Sequence, residues 1–120
     1  MAAVAAGARS LGALVVAIGP GPEPDVADAT VAITTDLGQA RNAVLVNSAD
    51  AVIAVGGSWG TLSEVAMAMR RRQHRPDLPV VTLGGWTVQD SAGTPIEGPS
   101  IANDPEHAVR LALGGSQLPP

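Results

Sequence analysis

The chain has 120 residues, a formal charge of -4, no cysteine and no lysine. These facts exclude disulfides and thiolate chemistry, a Schiff base to pyridoxal phosphate, and the phosphate-gripping lysine of a Walker-type loop. The length suits one core, and 46% apolar residues with neither Phe nor Tyr mean that Val, Leu, Ile, Ala and Met must build it.

In chain order, Met1 to Ser10 is alanine-rich and predicts a helix, ended by Gly12. Ala13 to Ile18 is a continuous apolar run, the pattern of a strand covered on both faces. The stretch is not read as a secretory signal, since what precedes its apolar run is itself long and apolar and acids lie before the nearest small-residue site. "GPGPEPD" reads as a loop, and a short strand follows near Thr30 to Thr34. Asp36-x-x-Gln39 has capping-box spacing and predicts a helix running to about Ser48. Asp50 to Val55 is the strongest buried-strand pattern, and a helix is predicted from Thr61 to Gln73 with Leu62, Val65, Ala66 and Met69 along one face. A strand at Val80 to Leu83, a turn-rich segment, a short strand near Ile101 and a last helix complete the chain. That helix has Asp104 as N-cap, Pro105 in its first position and Gly114 as its stop. Residues 115–120 read as a flexible tail behind a single domain at 1–114.

Helices alternating with apolar strands define an α/β fold with a mainly parallel sheet, whose ligands gather at the carboxyl ends of the strands. The chain opens on a helix with no strand ahead of it. Either the fold begins unusually, or a first strand-loop unit is missing and the fold is N-terminally truncated.

The chemistry concentrates in "AVGGSWGTLSEV". Gly56, Gly57, Ser58, Trp59, Gly60 and Thr61 stand where a strand becomes a helix, so their N–H groups suit an anion such as phosphate. The competing reading is a tight turn required for packing. Glu64 stands at capping-box distance from Thr61, and capping and catalysis are equally compatible with that spacing. Arg41 is the single charge between Leu37 and Ala49; it either extends its head to water or meets an anion with its bidentate fork. Trp59 and Trp86 each follow a predicted strand and either fill the core or stack on a base. Arg70, Arg71 and Arg72 read as a solvated helix end. His74 and His107 have no second ligand nearby, so no metal is assigned. No broad cationic face suggests a nucleic acid, and no apolar run reaches the ~20 residues needed to span a membrane. The expected location is cytoplasmic.

"GQARNAVLVNSADAVIAVGGSWGTLSEVAMAM" resembles the Lonely Guy (LOG) family and its bacterial relatives, most specifically in GGxGTxxE after an apolar strand with an arginine upstream. The resemblance implies a Rossmann-like three-layer fold, a nucleoside 5'-monophosphate pocket without a cofactor, and a homodimer. In active members it implies hydrolysis of the N-glycosidic bond to free base and ribose 5-phosphate. Gly57, Gly60 and Thr61 would then cradle the phosphate while Arg41 and Glu64 form the catalytic pair. The older lysine-decarboxylase label of such proteins does not suit a chain without lysine. Val55 and Asn42 stand where active LOG enzymes have proline and lysine, closer to a branch that includes molybdenum-cofactor carriers. A non-catalytic binder of nucleotide or molybdenum cofactor is therefore the alternative.

Overall fold

A computed structural model describes residues 1–23 and 27–114, so the expected tail at 115–120 lies outside the described residues. The chain divides into two compact units, Met1–Leu45 and Val46–Pro120.

The first unit holds helix α1 (Ala2–Ser10) and a two-stranded parallel sheet of β1 (Val16–Gly19) and β2 (Val31–Thr34), in register from Val16 opposite Val31 to Gly19 opposite Thr34. Gly12 stops α1 as expected. Its φ of +78° lets the Ala13 N–H return to the Ala8 carbonyl and the Gly12 N–H to Arg9, a Schellman closure. Both strands are less covered than their composition predicts: Val16 of β1 and Val31 and Ile33 of β2 are each more than two-fifths exposed. Among the described residues only one α-helix lies wholly within this unit, too little to cover both faces of the sheet.

Helix α2 (Arg41–Asn47) does not start at Asp36. A 3-10 turn, Gly38–Ala40, precedes it, with no side-chain cap. Asp36 adopts a φ of +51°, which its short polar side chain tolerates, and its N–H is bonded to Gly21. That geometry cannot serve an N-cap, which needs extended backbone, so the Asp36–Gln39 box is replaced by loop-to-loop bonds.

The second unit is a three-layer sandwich. Strands β3 (Val52–Val55), β4 (Val80–Leu83) and β5 (Ser100–Ala102) form a parallel sheet in the order β3-β4-β5, with helices α3 (Trp59–Arg72) and α4 (Pro105–Ala112). Alternation along β4 sorts the core. Val80 packs with Val46, Ala68 of α3 and Leu78, whereas Val81 faces the opposite way against Ala102 and Ala108 of α4. The unexpected cation is Arg71. It is not a solvated helix end: its guanidinium donates to the carbonyls of Val46 and Ala49, each at 2.6 Å, closing the C-terminal end of α2. Asp104 caps α4 through the His107 N–H, as its sequence predicts.

Candidate functional site

The carboxyl end of β3 runs directly into α3, and three local choices set the path between them. Gly56 extends the β3–β4 ladder by donating its N–H to the Leu83 carbonyl at 3.1 Å, then turns with a φ of +88°. Gly57 crosses the Gly84–Gly85 turn so closely that a Cβ on it would stand 3.1 Å from the Gly85 Cα. Ser58 returns to extended backbone and caps α3, its Oγ accepting from the Thr61 N–H at 3.1 Å and lying 2.9 Å from the Thr61 Oγ1.

This geometry divides the loop's amides into two sets. Those of Gly56, Thr61 and Leu62 are bonded within the protein, the last to the Ser58 carbonyl. Those of Gly57, Ser58, Trp59 and Gly60 meet no acceptor among the described residues. The first turn of a helix carries such donors by construction, and here they stand beside the carboxyl ends of a parallel sheet, where an anion is favoured. The glycines themselves are explained in part without a ligand, since Gly56 answers to a positive φ and Gly57 to the opposing turn.

The two tryptophans meet. Their ring centroids are 4.8 Å apart at 41°, and the Trp86 Nε1 donates to the Ser58 carbonyl at 3.0 Å, while Trp59 remains 76% exposed. Trp86 thus braces the loop from the β4 side.

Glu64 is half-buried in the second turn of α3. Because Ser58 is the N-cap and Thr61 the third helical residue, the Thr61–Glu64 capping box does not form: six residues separate the carboxylate from the cap, twice the motif's spacing. Glu64 also stands apart from the face of Leu62, Val65, Ala66 and Met69. That face lines an apolar cavity of about 490 Å³ floored by Thr82 and walled by Trp86 and the 87–99 segment.

Arg41 belongs to the first unit. Half-buried at the start of α2, it donates from one terminal nitrogen to the Ile18 carbonyl at 3.1 Å, at the carboxyl end of β1, and its buried Nε has no hydrogen-bond partner among the described residues. Neither water-directed extension nor a carboxylate pair describes it. The guanidinium reads a strand end and retains donors for a further acceptor.

Sequence reasoning missed Gly85, the Leu83 carbonyl and the cavity. The available signal was the second glycine pair, Gly84-Gly85, placed after an apolar strand as Gly56-Gly57 is. Among the described residues no three His, Asp or Glu gather as metal ligands, and no helix is long and apolar enough to cross a membrane.

Comparison with known proteins agrees with this architecture. The chain is 40% identical over 119 residues to an uncharacterized protein of Archaeoglobus fulgidus, covering 97% of this chain and 70% of that one. Among solved structures it is similar to the molybdenum cofactor binding protein of the phototrophic bacterium Rippkaea orientalis, with 31% identity and a TM-score of 0.76 over 95% of this chain and 69% of that one. It is also similar to the X-ray structure of TM1055, with 29% identity and a TM-score of 0.76 over 94% of this chain and 71% of the other. The model of the SLOG cluster4 family matches residues 1–97, and with a parallel α/β fold and a glycine turn leading into α3, the chain belongs to that family.

Proposed function

We propose that this protein binds a phosphate-bearing nucleotide, or a nucleotide-like cofactor such as the molybdenum cofactor, and carries it without hydrolysis. The observation behind this reading is the row of unengaged amides from Gly57 to Gly60, beside the paired hydroxyls of Ser58 and Thr61. A phosphate monoester presents three oxygens to such a row and needs no lysine. The cofactor's phosphate fits these donors, and the 31% identity to a molybdenum cofactor binding protein supports a carrier over a catalyst. So do Val55 and Asn42, which depart from the pattern of active LOG enzymes; the Asn42 side chain is buried.

A second reading, hydrolysis of a nucleoside 5'-monophosphate, draws on Glu64. By the LOG resemblance, Glu64, half-buried in the second turn of α3, would stabilise an oxocarbenium-like state and Arg41 would hold an anionic group. A homodimer, as the LOG resemblance implies, belongs to both readings.

Calorimetric titration with AMP and with the molybdopterin nucleotide, followed by chromatography for adenine, tests the pair. Binding without adenine release is the expected result. Release above that of Arg41→Ala combined with Glu64→Gln would transfer the function to the hydrolase, and failure to bind any phosphate compound would remove both.

A further inference from the structure

The apolar cavity beside α3 differs in its lining from the glycine loop. It meets the glycine loop only through Gly56 and Thr61. Both amides there are already bonded, to the Leu83 carbonyl and the Ser58 Oγ, so the cavity wall offers an anion none of the loop's open donors. The single charged residue of the lining is Glu97, an exposed carboxylate, which disfavours an anion further.

What the cavity does offer is apolar surface and, on its floor, the hydroxyl of Thr82. Leu62, Val65 and Met69 of α3 face Trp86, whose ring is held by its bond to Ser58. On the floor, Thr82 points to the α3 side of the sheet, the side of Val80, and is only 5% exposed. Its hydroxyl meets no hydrogen-bond partner among the described residues. A hydroxyl that lines the cavity and meets no protein partner is open to a ligand atom, which would gain a hydrogen bond there. A volume of about 490 Å³ lies within the range of small-molecule pockets, which are mostly apolar with few fixed polar groups.

We propose that this cavity binds an uncharged, flat aromatic molecule carrying one hydrogen-bonding substituent, with the ring against Trp86 and α3 and the substituent on the Thr82 hydroxyl. The cavity shares Gly56 and Thr61 with the glycine loop, but the proposal does not depend on the phosphate reading above. Thr82 sets the preference for a polar substituent, and the bonded amides with Glu97 set the preference against a negative one.

Equilibrium dialysis of the full chain against 2-naphthol, naphthalene and 2-naphthoate tests this. One 2-naphthol should bind per chain, about fivefold more tightly than naphthalene, the worth of one hydrogen bond, with 2-naphthoate weakest. Thr82→Val, nearly isosteric, should abolish the preference for naphthol over naphthalene while leaving naphthalene binding intact. Ala66→Trp, at an exposed lining position, should block all three ligands and leave AMP binding unchanged. Absence of saturable naphthol binding, equal binding of 2-naphthoate, or a preference that survives in Thr82→Val would overturn the proposal, whatever AMP does.

Discussion

A Cβ placed on Gly85 would stand 2.1 Å from the carbonyl oxygen of Gly56, closer than any real contact of that kind. The turns that follow β3 and β4 are therefore interlocked through their backbones, and the anion-facing loop takes its shape from its neighbour. Gly85 also has a φ of +88°, which adds conformational strain to the clash for any other residue.

Gly85→Ala should accordingly destabilise the protein by about 3 kcal/mol, since neither backbone can yield without breaking the bond between Gly56 and Leu83. Gly84→Ala separates the two causes: its φ is +71° but a Cβ there meets nothing within 4 Å, so it should cost about 1 kcal/mol. Urea unfolding at constant m-value measures both. Equal losses would show that strain alone, without interlocking, governs this turn.

Ser58→Ala should cost about 1 kcal/mol through loss of the α3 cap, and Asp104→Ala a similar amount at α4. The two differ in function. Ser58→Ala should also weaken binding of a phosphate compound, because its hydroxyl fixes the Thr61 end of the loop, whereas Asp104→Ala should leave the affinity as it was. Thermal melts with and without AMP give both readouts in one experiment.

These caps show where the sequence was legible. Asp104, Pro105 and Gly114 act within one turn of their own position, so residue type alone revealed α4. The strands were legible because β3 and β4 are apolar runs of strand length, and the start of α2 was misplaced because the Asp36–Gln39 spacing also fits a loop. At α3 the apolar face begins at Leu62 and drew the boundary to Thr61, while Ser58 caps a helix that starts two residues earlier, at Trp59, and runs through Gly60, a poor helix former. The contacts of Gly57 with Gly85 and of Arg71 with Ala49 join positions more than 20 residues apart. Nothing local marks them, and for that reason Arg71 read as a solvated cation and the packing demand on the glycines stood only as the competing reading.

Arg71→Met should cost about 2 kcal/mol, because it leaves the Val46 and Ala49 carbonyls without their charged donor in a half-buried place. Arg72→Met, at the adjacent position with no such bond, should stay within about 0.5 kcal/mol of the parent. Guanidinium unfolding of the two variants side by side checks the contrast. Matching curves would return Arg71 to the role of a helix-end charge.

The anion reading can be tested one amide at a time. Trp59 is the first residue of α3, where proline is accepted, and Ser58 before it has a ψ of 161°, the extended conformation that proline requires of its predecessor. Trp59→Pro therefore deletes one unengaged N–H from the row with little strain. Trp59→Ala removes the same indole and its packing on Trp86 but keeps the N–H. If a phosphate sits on the row, AMP should bind Trp59→Pro about tenfold more weakly than Trp59→Ala, the worth of one hydrogen bond to a charged group. The comparison cancels the lost stacking, so equal affinities would place the phosphate somewhere other than the mouth of β3, even if AMP binds both variants well.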